Sequence, residues 1–279
     1  MTAALILLGG LGALAACAAT APTASTPSPS DVAGVVGVVA IGHSGLTGAG
    51  SDSTGEAVPE NSWATGTAPE VDSVYSRLVA VRPENAGQVA NTAVGGTASD
   101  MLVSQAASAL KTVPNPLLLI ISTIDNDIQC DGTDKENVPA FGANLAEALE
   151  LVTTASPETT ILVVGQLGRP SMSFVQTVAD KDPRVTSWWS GSGPCDLFNL
   201  EGDLVPGNFE GITAIIEGYE AEQMTVCAQF VQCHTDGGVR AAYVDALENF
   251  SNDWSHLNIQ GQAAEAELIW PVVVSLLDL

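Results

Sequence analysis

The chain has 279 residues, of which 46% are hydrophobic and 14% are charged, and this composition suits one α/β domain with a sizeable core. Eight lysine and arginine residues against 32 aspartate and glutamate residues give a formal net charge of −24. A surface of this sign repels nucleic-acid phosphates and anionic lipid head groups, so both are excluded as primary ligands.

The N-terminal stretch is apolar and ends in small residues. Residues 2–16 run into Leu14-Ala15-Ala16-Cys17 and are too few to span a bilayer, so residues 1–17 are predicted to be a secretion signal. Leu-Ala-Ala-Cys also resembles a bacterial lipobox, in which Cys17 is lipidated and holds the protein at the cell envelope. No lysine or arginine precedes the apolar run, so plain secretion is the alternative.

The next segment, residues 18–31, is rich in proline, serine, threonine and alanine, a composition typical of a linker that buries no core. A single domain is predicted over residues 32–279, because no internal repeat indicates a second one. We expect this domain to be a monomer.

Within the domain, buried apolar runs alternate with segments of helical spacing. Strands are predicted at 38–42, 88–94, 116–124 and 159–164. Helices are predicted at 72–81, 99–113, 141–154, 170–179, 209–231 and 258–277, with an interruption at Gly218 and a kink at Pro271. This alternation predicts a three-layer α/β/α fold with a mainly parallel central sheet.

Four cysteines remain once Cys17 is set aside. An even number in an exported protein predicts two disulfides, for which three pairings are possible. We predict a local Cys227–Cys233 bond and a long-range Cys130–Cys195 bond. No spacing suits zinc, and the three histidines form no ligand cluster, so neither a metal nor a cofactor is expected.

The first predicted strand ends at a small turn, Gly42-His43-Ser44-Gly45. The glycines leave room around the Ser44 hydroxyl, and the carboxyl end of a buried strand is where an α/β sheet presents its chemistry. Serines in strand-end turns are common, so the functional interpretation depends on residues further along the chain.

Those residues supply the other groups that acyl transfer through serine requires. His256 could accept the serine proton, and Asp253, three residues earlier, could orient the imidazole. Asn126 and Gly96, near the ends of other strands, could donate N–H groups to an oxyanion. These residues also have structural interpretations without catalysis, since Asn126 suits a turn and Asp253 could cap the last helix.

This set, in this order, resembles the SGNH (GDSL-type) hydrolase superfamily. The resemblance implies an SGNH-hydrolase, flavodoxin-like fold and the roles of the site residues. Ser44 would be the nucleophile, His256 the base and Asp253 its orienter, and the oxyanion donors would be the Ser44 and Gly96 N–H groups and the Asn126 side chain. The matching segments are Gly42–Ser44, Asn91–Thr97, Ile124–Asp127 and Asp253–His256.

Two positions depart from the pattern of the superfamily. His43 stands where an aspartate is usual, and we interpret it as a structural replacement that bonds a nearby loop, a second titrating group being the alternative. Ile124 stands where a glycine is usual and is predicted to reshape the acyl side of the pocket. The sequence leaves open whether Trp63 closes the pocket or packs in the core. It also leaves open whether Trp188 and Trp189 stack on a sugar or an acyl chain or belong to an exposed loop that packs against the body.

The predicted function is an exported, metal-free serine esterase that acts on small-molecule, glycan or lipid esters through an acyl-enzyme. Alternatives on the same site are deacetylation of a polysaccharide and acyl transfer. A non-catalytic protein that binds carbohydrate or lipid is the alternative from another class. Membrane contact is expected only through a lipid anchor at Cys17.

Overall fold

The computed structural model describes residues 34–279, so the predicted signal, Cys17 and the predicted linker lie outside the described residues. Five strands form one sheet: β1 (Val38–Gly42), β2 (Val89–Asn91), β3 (Leu118–Ser122), β4 (Thr160–Val164) and β5 (Cys233–Thr235). Every neighbouring pair is parallel, and the order is β2-β1-β3-β4-β5. The strand order therefore reverses at β1: β2 lies on one side of it and β3 to β5 on the other. In open α/β folds, the crevice at such a reversal is where ligands bind.

Residues 34–279 contain seven helices. Their bounds are α1 (Val74–Val81), α2 (Leu102–Thr112), α3 (Asp134–Ala155), α4 (Met172–Lys181), α5 (Arg184–Trp188), α6 (Pro206–Cys227) and α7 (Ile259–Leu277). Of these, α1, α2, α3, α6 and α7 pack on the two faces of the sheet. No helix among residues 34–279 is long and apolar enough to cross a bilayer.

Alternate strand residues supply the two halves of the core, because side chains along a strand point to opposite faces. Val39, Ile121 and Val163 pack with buried residues of α2, α3 and α6. Val38, Ile120 and Leu162 belong to the opposite cluster, which contains α1 and α7. This confirms the predicted three-layer α/β/α fold with a parallel central sheet.

A third apolar cluster lies beyond these layers. We call residues 170–205, which comprise α4, α5 and the segment after them, the cap. Val175, Val185 and Phe198 of the cap pack with Trp254. Trp254 Nε1 also donates a hydrogen bond to Asp182 Oδ2 at 3.1 Å, which ties the cap to the segment carrying the predicted catalytic histidine.

Both predicted disulfides are present, Cys130–Cys195 and Cys227–Cys233. The first joins the loop after β3 to the cap. The second closes the short connection between α6 and β5.

The secondary structure differs from prediction in several places: helix α5 was not predicted, and α3 begins at Asp134, well before the predicted start at residue 141. Strand β5 was not predicted, because three residues with two polar side chains give no apolar run. Helix α6 continues through Gly218, where an interruption was expected, because packing of buried residues such as Ile216 and Tyr219 outweighs the low helix propensity of glycine.

Candidate active site

Gly42, the last residue of β1, fixes the start of the turn that carries Ser44. This residue has φ +138°, and a Cβ built on it would lie 1.7 Å from the Ser122 carbonyl oxygen, so only glycine fits. Gln105 on α2 clamps the same residue from both sides: its Oε1 accepts the Gly42 N–H at 2.6 Å, and its Nε2 donates to the Gly42 carbonyl at 3.0 Å. The strand end is therefore held rigidly where the serine begins.

The loop before α7 brings the predicted base and its orienter to this serine. His256 Nε2 lies 2.9 Å from Ser44 Oγ, and His256 Nδ1 lies 2.7 Å from Asp253 Oδ2. The backbone N–H of His256 donates to Asp253 Oδ1 at 2.9 Å, so one short turn holds both side chains. Hydroxyl, imidazole and carboxylate thus form a continuous hydrogen-bonded chain.

The hydrogen bonds of this turn set the charges of the pair. Partial burial raises the pKa of Asp253, but hydrogen bonds from His256, Ser251 and Ser255 outweigh it and hold the pKa well below its usual range. The bond to Asp253 raises the pKa of His256 against partial burial, which lowers it. The carboxylate therefore stays charged and strengthens His256 as a base.

Ser44, Gly96 and Asn126, the predicted sources of the oxyanion donors, all line one cavity. Gly96 has φ +76°, a left-handed conformation that turns its peptide without the strain of a side chain. Asn126 Nδ2 donates to the Thr97 carbonyl at 3.0 Å, which orients the amide. Neither the Ser44 N–H nor the Gly96 N–H donates a hydrogen bond to any group among residues 34–279.

The turn that carries Asn126 depends on its neighbour Asp127. Its carboxylate accepts bonds from the Ser99 N–H and hydroxyl and from the Thr123 hydroxyl. These bonds join the β3 turn to the start of the α2 region.

The prediction that Ile124 reshapes the acyl side of the pocket is wrong. Ile124 is fully buried against Phe141 and Tyr219 and does not line the cavity. Its φ of +95° is a backbone conformation that usually requires glycine, and it costs a β-branched residue about 1 to 3 kcal/mol. Its burial in this cluster offsets the strain.

His43 has a structural position beside the nucleophile. Its Nδ1 accepts the Gly45 N–H at 3.2 Å, a bond that an aspartate could also accept. Its Nε2, which then carries the proton, lies 3.3 Å from Ser122 Oγ and 3.4 Å from Asp125 Oδ2. Burial lowers the pKa of His43, so the ring is neutral. This geometry fits the interpretation of His43 as a structural replacement.

A buried ion pair beneath the serine turn was missed from the sequence. Arg240 and Glu265 are 4% and 1% exposed, with Arg240 Nη2 2.6 Å from Glu265 Oε1. Arg240 also donates to Ser122 Oγ at 3.1 Å. The spacing of Glu265 from buried Ile269 places both on one face of α7, the one sequence signal for its burial.

The three tryptophans left open by the sequence lie in different environments. Trp63 is fully buried and donates from Nε1 to the Gly45 carbonyl at 3.1 Å, so it packs in the interior. Trp189 lines the cavity, whereas Trp188 is 48% exposed and stacks with Arg184.

The cavity over Ser44 has a volume of about 950 Å³. Its polar end contains the serine, the histidine and the N–H donors. Its other end, which we call the apolar lobe, is formed largely by the cap and by the approach to the histidine loop. The lobe is lined by Phe174, Val175, Trp189, Leu197, Ile212, Ile216, Phe250, Trp254 and Leu257. No cluster of metal-ligating side chains is found among residues 34–279.

No protein-family model and no curated protein sequence matches the chain. Its fold, however, matches solved structures of esterases and lipases. Phospholipase A1 from Streptomyces albidoflavus NA297 is 13% identical, with a TM-score of 0.50 over 87% of this chain and 99% of that one. The extracellular lipase from Streptomyces rimosus is 15% identical, with a TM-score of 0.50 over 86% and 99%. At these identities the likeness shows a shared fold.

Proposed function

We propose that the chain is a carboxylic ester hydrolase that works through an acyl-enzyme on Ser44. The observation that carries this proposal is a continuous chain of two contacts. Ser44 Oγ lies 2.9 Å from His256 Nε2, and His256 Nδ1 lies 2.7 Å from Asp253 Oδ2. Ser44 and His256 line the same cavity as Gly96 and Asn126, the proposed oxyanion donors. Neutral serine is a weak nucleophile, and an aligned base of this kind activates it.

In the proposed reaction, His256 Nε2 takes the Ser44 proton as the serine oxygen attacks the ester carbonyl. The charge that develops on the carbonyl oxygen is stabilised by the Ser44 and Gly96 N–H groups and the Asn126 side chain. The intermediate collapses when His256 protonates the leaving alcohol. His256 then removes a proton from water, which attacks the acyl-enzyme and releases the carboxylic acid and free Ser44.

The cavity favours hydrolysis of an ester with a substantial apolar part over the alternative of polysaccharide deacetylation. The nine apolar and aromatic side chains of the apolar lobe remove alkyl or aromatic groups from water. The aligned Ser44, His256 and Asp253 also argue against a non-catalytic binding protein.

Export is part of the proposal. Two disulfides are typical of proteins outside the cytoplasm, and the fold is shared with an extracellular lipase. Together with the apolar N-terminal stretch they support secretion, or attachment through Cys17. The proposed partners are neutral or cationic ester substrates, and neither nucleic acid nor a second protein chain is required.

The pH dependence of hydrolysis tests the role of His256. We expect kcat/KM for p-nitrophenyl butyrate to fall as the solution becomes acidic, with a midpoint above the ordinary histidine value of 6.5, because the Asp253 bond raises the pKa of His256. The base works only when neutral, so activity is present above its pKa and lost below it.

A variant at the other histidine near the serine is the matched control. His43→Asn should keep the midpoint, since the asparagine oxygen can accept the Gly45 N–H and His43 carries no proton in the reaction. An acid midpoint that shifts with His43→Asn would contradict the assignment of the base to His256.

A further inference from the structure

One carboxylate in the cavity takes no part in the proposed reaction. Asp245 lies on the segment between β5 and α7 and belongs to the cavity lining. No hydrogen-bond donor or cationic side chain among residues 34–279 pairs with it. Burial alone raises the pKa of Asp245, to about 6, so the carboxylate is still ionised above neutral pH. Partial burial of a carboxylate without a partner costs desolvation free energy, and such a group in a cavity is typical of a ligand-binding site.

The other charges of the cavity do not neutralise it. The two arginines in the lining are already paired, Arg169 with Glu220 and Arg240 with Glu265. The carboxylates of Glu56, Asp125 and Asp245 then leave the wall negative. A net charge of −24 extends this field over the whole chain. The cavity therefore repels anionic substrates and concentrates cations.

Aromatic rings line the same cavity as Asp245. Phe174 and Phe250 lie in the lobe with their ring centroids 5.2 Å apart, and Trp189 lines it as well. Trp254 already has the Lys181 ammonium 5.4 Å from its ring centroid, so a ring of this cluster is placed to attract a cation. The faces of such rings attract ammonium groups, and a quaternary ammonium combines charge with an apolar surface that suits them.

The positions of Asp245 and Phe250 in the sequence, shortly before His256, indicate which half of the ester meets them. His256 must reach the oxygen of the leaving alcohol, so the alcohol half lies on the His256 side of Ser44. Asp245 and Phe250 lie on the segment that runs directly into the turn from Ser251 to His256. Phe250 forms a β-bridge with Leu257, the residue after His256, so the alcohol half extends toward Phe250.

We propose that the site selects esters of cationic amino alcohols, with Asp245 pairing with the ammonium group and the rings of Phe174, Trp189 and Phe250 surrounding it. This inference rests on the proposed ester hydrolysis and narrows its substrate class. The bond cleaved is the ordinary ester bond, and water supplies the groups that complete the acid and the alcohol.

Matched pairs of substrates test this selection. Choline esters of acetic, butyric and octanoic acids are compared at pH 7.5 with the 3,3-dimethylbutyl esters of the same acids, in which carbon replaces the charged nitrogen. We expect kcat/KM to be about tenfold or more higher for the choline ester of the best acid. Asp245→Asn should lower that ratio about tenfold, because the ion pair is lost. The ratio is independent of how much of each preparation is folded.

Glu248→Gln is the control variant, since it removes the same charge from an exposed residue of the same segment that does not line the cavity. It should lower the ratio less than twofold, because solvent screens an exposed charge. A wild-type ratio near or below one, or a high ratio that survives Asp245→Asn, would overturn the inference while leaving ester hydrolysis intact. Hydrolysis of neither ester, with Ser44 inert to an acylating probe, would overturn the proposed function and this inference with it.

Discussion

Replacement of Ser44 or His256 by alanine is expected to lower kcat for ester hydrolysis by a factor on the order of 10⁶, because each removes the unit that forms the acyl-enzyme. The 2.9 Å contact between Ser44 Oγ and His256 Nε2 means that neither group works without the other. The double variant should therefore be little worse than either single one. Steady-state hydrolysis of p-nitrophenyl butyrate measures all three.

Two exposed residues provide controls of the same chemical types. Ser255→Ala removes a hydroxyl next to His256, and His234→Ala removes an imidazole from β5. Both should retain kcat within about threefold, since Ser255→Ala keeps the backbone N–H that bonds Asp253, and His234 lies away from the reacting groups. A Ser44→Ala protein that retains a tenth of wild-type turnover would show that another residue is the nucleophile.

Asn126→Ala is expected to reduce kcat by about 10² to 10³, because one oxyanion donor is lost while the base and nucleophile remain. The loss should fall mainly on kcat rather than KM, since the full negative charge on the oxygen exists only near the transition state. The bond from Asn126 Nδ2 to the Thr97 carbonyl indicates that the amide is oriented before substrate arrives.

Thr97→Ser provides the comparison for this variant, because it keeps the backbone carbonyl that orients Asn126 and should cost less than about threefold. A decrease of less than about fivefold in kcat for Asn126→Ala would remove this residue from the oxyanion site.

Local patterns in the sequence predicted the layers of the fold and the residues gathered at the cavity. A continuous apolar run predicts a buried strand, and the run that forms β1 leads directly to Ser44. Parallel strands end at one edge of the sheet, so Ser44, Gly96 and Asn126 could be expected there together. Asp253 and His256 were found because one turn holds both.

The features that could not be predicted depend on contacts between distant segments. Arg240 and Glu265 are charged, and charged residues are usually exposed, so apart from the spacing of Glu265 from Ile269 nothing local marks them as a buried pair. The lining of the apolar lobe comes from the cap, α6 and the histidine loop, which only the tertiary structure brings together. Asp245 lacks a partner because of where these segments lie, and no motif encodes that.

The central claim, that Ser44 is an activated nucleophile, is tested most directly by labelling the purified, disulfide-bonded protein with a fluorophosphonate. We expect one label per chain, located on Ser44 by peptide mass spectrometry, absent from Ser44→Ala and much slower in His256→Ala. Folded wild-type protein that stays unlabelled would contradict the claim and favour a binding protein built on a hydrolase fold.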